Sequence, residues 1–130
     1  MNPPAQDLWN LWRDSGETRE LAEAWLTKRE GEWSGEDERL CQLLHDAPEQ
    51  ALANLFAIAQ LTDDPKLLGS LAAGPFEDFL GLHGEQFVNT VHALALEQPR
   101  LRLVLDGVWQ GAMSKQVWHR IEVLKQRAFS

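Results

Sequence analysis

Apolar residues return at helical spacing along nearly the whole chain, and no stretch alternates like a half-buried strand. Leu8, Leu11 and Trp12 share one face of "AQDLWNLWRDSG", which follows Pro3 and Pro4 and which Gly16 is expected to stop. A second helix is predicted over residues 18–30, with Leu21, Ala22, Trp25 and Leu26 as its stripe. After the polar turn "EGEWSGEDE", Ser34 is placed to cap a third helix that carries Leu40, Leu43 and Leu44. Pro48 opens a fourth, striped by Leu52, Leu55, Phe56 and Ala59. Further helices are predicted over residues 65–71, 75–83, 85–97, 99–105 and 114–127. The expected fold is therefore all-α, a single domain built as a compact stack of helical hairpins.

A weak internal repeat shapes that expectation. Glu49, Gln50, Ala57, Ala59, Pro65, Leu67 and Leu71 align with Glu85, Gln86, Ala93, Ala95, Pro99, Leu101 and Leu105 when two residues are skipped before the proline. Each copy reads as a helix, a proline break and a shorter helix. The period, about 34–36 residues, is near that of stacked helical pairs of the tetratricopeptide or HEAT type.

Charge changes the picture more than composition does. At 130 residues with 44% hydrophobic and 25% charged positions, the chain has the balance of a globular domain. Its net charge is −8, and residues 1–50 hold 12 acids against 5 bases, leaving only 8 against 7 in residues 51–130. An acidic surface repels nucleic-acid phosphates and attracts basic proteins, so the expected partner is a basic protein and not DNA or RNA. The most apolar run, residues 51–61, is interrupted by Asn54 and is too short to span a bilayer. With no secretion signal at the start of the sequence given, a cytoplasmic, membrane-free location is expected. Cys41 stands alone, which excludes an internal disulfide or a Cys-based zinc site, and it is expected to be a small buried hydrophobe on a helix.

The stretch "LAAGPFEDFLGLHGEQF" places Glu77, Asp78 and His83 between two glycine-bounded breaks. On a helix Phe76, Phe79, Leu80 and His83 share a face, and His83 lies about 120–140° around the axis from either acid, so the three cannot meet one ion from one helix. Helix ends account for them: Pro75 at the first position, two acids in the first turn, and His83 before Gly84 as a C-terminal stop. Glu77 and Asp78 remain candidates for contacting a partner.

The same stretch carries a resemblance. Ala73, Gly74, Pro75, Phe76, Glu77, Asp78, Phe79 and Leu80, followed by His83 and Gly84, resemble the signature of a family of small bacterial proteins filed as a domain of unknown function. That family usually has leucine where Phe76 and Phe79 stand here. The likeness continues through Phe87 and "QPRLRLVLDGVW", with Gln98 where the family tends to have Asp, and back to "LAEAWL" at residues 21–26. It implies no activity, substrate or catalytic residue.

Phosphate-binding loops, nucleophile elbows and His-Glu-x-x-His are missing from the sequence. His92, between Val88, Val91 and Ala95, is expected to be partly buried and hydrogen-bonded. The basic segment with Lys115, Arg120, Lys125 and Arg127 is expected to pair with the acidic first half. Trp9, Trp12, Trp25, Trp109 and Trp118 read as core, whereas Trp33 lies in a turn among acids and could anchor an interface. No cofactor, metal ligand set or catalytic group is expected. The sequence thus points to an acidic protein-binding module, in its most concrete form an immunity or antitoxin-like protein that occludes a basic toxin such as a nuclease. Its candidate contacts are Glu32, Trp33, Glu36, Asp37 and Glu38, with Glu77 and Asp78 second. The rivals are a helical-repeat adaptor or structural subunit, and a small enzyme using Glu77, Asp78 and a histidine delivered by tertiary folding.

Overall fold

The computed structural model describes residues 16–27 and 35–127. Its elements are α1 (Gly16–Thr27), α2 (Gly35–Asp46), α3 (Pro48–Leu61), α4 (Pro65–Leu71), a π-turn (Ala72–Phe76), α5 (Glu77–Glu97), α6 (Pro99–Asp106) and α7 (Lys115–Arg127). The described residues contain no strand, and the fold is all-α. Two units of helix, proline and shorter helix, α3–α4 and α5–α6, occur where the internal repeat placed them.

The centre of the fold is α3. Nine consecutive residues, Ala51 to Ala59, are buried, so the helix is enclosed all round instead of presenting one stripe. Its four alanines (Ala51, Ala53, Ala57 and Ala59) let neighbours approach closely, and α1, α2, α4, α5 and α6 all pack against it. Pro48 sits in the first turn, where its missing N–H costs nothing. Trp25, Phe56, Phe76, Phe79 and Phe87 are the largest fully buried side chains, and they belong to one core with Leu40, Leu101 and Ile121.

Two expectations about residues 65–97 are corrected. First, α4 and α5 are joined without a break by the π-turn AAGPF. In an α-turn the Pro75 ring would strike the carbonyl four residues back, and the widened turn gives it room. Second, Gly84 does not end a helix, because α5 runs through it for 21 residues. A Cβ on Gly84 would lie 2.8 Å from Val117 Cγ1, and one on Gly81 would lie 3.0 Å from Ala112 Cβ. These two glycines, one turn apart, are where α7 and the loop before it lie directly on α5. His83 is accordingly a mid-helix residue.

Other expectations fail for related reasons. Trp109 is 71% exposed and lies in the loop between α6 and α7, outside the core. Trp25 is buried as expected, and Trp118 is partly buried against the core. Cys41 is on a helix but only half-buried. Gly16, expected to stop the first helix, is itself helical as the first described residue of α1; that predicted first helix, with Trp9 and Trp12, lies outside the described residues.

Candidate partner-binding surface

The acidic surface is built by α1 and α2, which lie beside each other on α3. Together they carry seven acids (Glu17, Glu20, Glu23, Glu36, Asp37, Glu38 and Asp46) against Arg19 and Arg39, a net charge of −5. Glu36, Asp37 and Glu38 occupy the first turn of α2, where carboxylates complement the helix dipole. Glu38 is exposed, and Glu36 and Asp37 are half-buried. Glu17, Glu20 and Asp46 are also exposed. Arg19 Nε pairs with Glu23 Oε1 at 3.1 Å, but both side chains are well exposed and such a pair contributes little. Glu32 and Trp33, the other candidates from this region, lie outside the described residues.

Four basic side chains of the second half are engaged elsewhere, among them Arg120 and Lys125 from the segment expected to neutralise these acids. Arg100 donates through Nη1 to the Gln60 carbonyl at the end of α3, and its Nη2 lies 2.7 Å from Asp63 Oδ1. Arg102 donates to the Ala95 and Leu96 carbonyls at the end of α5, at 3.0 and 3.1 Å. Lys125 donates to the Val108 carbonyl at 2.9 Å, with Nζ 5.5 Å from the Trp109 ring centroid and 5.1 Å from that of Trp118. Arg120 donates to Asn89 Oδ1 at 2.8 Å and approaches His92 Nδ1 at 3.3 Å. Because arginine has no acceptor, that ring nitrogen must accept, so His92 is partly buried and hydrogen-bonded as expected. The last carbonyls of a helix lack intrahelical partners, and cationic donors are well suited to them. Arg100, Arg102, Arg120 and Lys125 thus hold helix ends and loops together in their own half.

Glu77 and Asp78 are not brought together with the acids of α2. Glu77 is half-buried, and its Oε2 accepts from the Trp109 N–H at 3.4 Å. Its Oε1 lies where a Cβ on Gly111 would come within 2.8 Å, and Gly111 has φ +49°, so the loop carrying Trp109 is folded tightly onto this carboxylate. Asp78 is exposed. His83 Nε2 donates to the Leu44 carbonyl at 2.5 Å, capping the last turn of α2, and its ring lies against Phe79 and Phe87 at 5.6 and 6.3 Å between centroids. Leu44 is eight residues beyond Glu36, so the acidic end of α2 is about 12 Å along the helix from this junction. Among the described residues no group of three or more His, Cys, Asp or Glu could hold a metal ion.

One buried polar group escaped the sequence reading except as an interruption. Asn54 is only 2% exposed in the middle of α3. Its amide Nδ2 donates to the Gln50 carbonyl at 3.0 Å, and its Oδ1 has no partner among the described residues. It lines a small cavity between α1, α2 and α3 together with Glu17, Leu21, Arg39 and Leu43.

Fold and surface together define a small all-helical protein with one strongly acidic two-helix face. Residues 22–129 match the family of unknown function DUF6869, and the chain belongs to that family. No curated protein and no solved structure matches it. Among the described residues no helix is long and apolar enough to cross a membrane.

Proposed function

We propose that this protein is a binding module whose α1–α2 face captures a basic protein, acting as an immunity or antitoxin-like inhibitor that covers the partner's cationic cleft. The observation that carries this reading is the separation of charge: seven acids against two arginines on α1 and α2, while Arg100, Arg102, Arg120 and Lys125 are committed within the other half. A face of one sign raises the encounter rate with an oppositely charged protein and fixes its orientation. The groups a catalytic reading would need support it less well. Glu77 turns to the 109–111 loop, and His83 is tied to Leu44 on another helix.

The test is affinity capture from the native host with the tagged chain, beside a Glu36→Lys, Asp37→Lys, Glu38→Lys variant. The wild-type chain is expected to retain a basic protein in a salt-sensitive manner, and the variant to weaken capture by about tenfold or more while staying folded, with a somewhat lower melting temperature because these acids complement the dipole of α2. If the captured protein arrests growth when expressed alone, wild-type co-expression should restore growth and the variant should not. Capture that is indifferent to the reversal, or a partner that is not basic, removes the proposal.

A further inference from the structure

We infer that the outward face of α5 docks a second copy of this chain, the two α5 helices lying antiparallel about a two-fold axis. Between Leu82 and Leu96 the exposed positions are Leu82, Glu85, Gln86, Asn89 and Leu96, with Ala93 half-buried among them. At 100° per residue these six fall within about 100° of one another around the helix. Glu85 is the single charge on that face, whereas α1 and α2 are crowded with acids. Leu82 and Leu96 are 52% and 49% exposed. Exposed leucines scattered singly are ordinary, but these two stand in a symmetric relation on a nearly uncharged face.

Each leucine lies seven residues, about 10 Å, from Asn89. A two-fold axis beside Asn89 therefore sets Leu82 of one copy opposite Leu96 of the other, and does so twice. Seen from Leu82, Leu96 and Glu85 turn about 40° and 60° toward the same side of the helix, the side on which Gly81 and Gly84 receive Ala112 and Val117. A groove of about 380 Å³ opens there, lined by Leu82, Glu85, Ala112, Ser114 and Val117 among others. The two-fold axis keeps this side common to both copies, so Leu96 of the second copy arrives over the groove and can fill it.

Charge is complementary in the same register. Arg120 reaches the same side of α5, where its contacts are the Asn89 amide oxygen and His92 Nδ1, neither of them a carboxylate. Its guanidinium has five donors and keeps some to spare. Glu85 is exposed and pairs with no cation among the described residues. It lies four residues, about 6 Å, before Asn89, so across the axis it faces Arg120 of the second copy. One helix pair is at the small end of specific interfaces, and association in the micromolar range is expected. The α1–α2 face, which lies on α3, takes no part, so this inference goes beyond the partner reading above and does not rest on it.

The experiment is sedimentation of the full chain from about 1 to 500 µM, with light scattering to fix the mass. The wild-type chain is expected to pass from monomer to dimer over that range. Leu82→Glu and Leu96→Glu should each weaken the dimer by about tenfold or more, and because both sites are exposed the monomer should melt almost unchanged. Glu85→Arg and Arg120→Glu should each weaken self-association by about tenfold through like charges set face to face. Mixing those two variants in equal amounts should restore it, since every Glu or Arg at position 85 then meets its opposite at position 120 of the other copy. A purely structural role for Arg120 would not be rescued in this way. A wild-type chain still monomeric at about 500 µM overturns the inference, as does a dimer indifferent to both leucine variants. A dimer that mixing fails to restore overturns the antiparallel register. If the chain stays monomeric and Leu82→Glu abolishes capture of the basic protein instead, the face belongs to that partner and the second copy is overturned.

Discussion

Gly84 offers a quantitative check on how α7 is seated. Adding a methyl group there relieves the chain of a mid-helix glycine, which is worth about 1 kcal/mol. It also drives Cβ to 2.8 Å from Val117 Cγ1 and 3.4 Å from Cγ2. Turning Val117 about χ1 to bring its Cβ hydrogen toward the new methyl would abandon the one rotamer a β-branched side chain strongly prefers in a helix, so the helices themselves must give way. Overpacking of this kind costs about 1–3 kcal/mol, which leaves Gly84→Ala destabilised by about 1 kcal/mol. Val117→Ala alone removes two methyl groups from a side chain that is 3% exposed, at a cost of about 2 kcal/mol. In the double variant the new methyl enters the space that Val117 gave up and the helix-propensity gain returns. The loss should then be about 1 kcal/mol instead of the additive 3, a coupling of about 2 kcal/mol. Urea unfolding followed by tryptophan fluorescence and circular dichroism measures all three variants. A double variant within about 0.5 kcal/mol of the additive sum would refute the close approach of α7 to α5 at this glycine.

Two further variants test the helix-end contacts. Arg100→Met should cost about 1–2 kcal/mol because the Gln60 carbonyl loses its charged donor, whereas Asp63→Asn should change stability by less than about 0.5 kcal/mol, since Asp63 is 84% exposed; equal losses in chemical denaturation would mean the ion pair is the stabilising contact. His83→Leu keeps an apolar group beside Phe79 and Phe87 but strips the Leu44 carbonyl of its donor, so it should cost about 1–2 kcal/mol and speed amide exchange first in the last turn of α2; a uniform acceleration across the fold would contradict a clasp at that site.

The helices were legible where each residue has one role. Pro48 and Pro99 open α3 and α6, and the Leu and Ala stripes mark buried faces. Gly84 was not legible, because a glycine that ends a helix and a glycine that admits a neighbouring helix look alike in sequence, and only the position of Val117 separates them. The same holds for the basic residues. Sequence displays their charge, while the carbonyls of Gln60, Ala95, Leu96 and Val108 that receive them become available only when helices end beside them. Trp109 read as core by composition, but the short loop bounded by Gly107 and Gly111 turns it outward, held by Lys125 and Glu77. The acids of α2 stood out in the sequence as part of a polar turn around Trp33, and the structure puts Glu36, Asp37 and Glu38 in the first turn of the helix instead, whereas Asn54 looked like a mere gap in an apolar run because its unpaired oxygen is a tertiary property.

The central claim concerns where a partner sits. Hydrogen–deuterium exchange of the chain, free and bound to the protein recovered by capture, locates it directly. Slower exchange concentrated at residues 17–23 and 36–46 is the predicted result, and protection confined to residues 82–89 and the Trp109 loop, with the α1–α2 face unchanged, would contradict it.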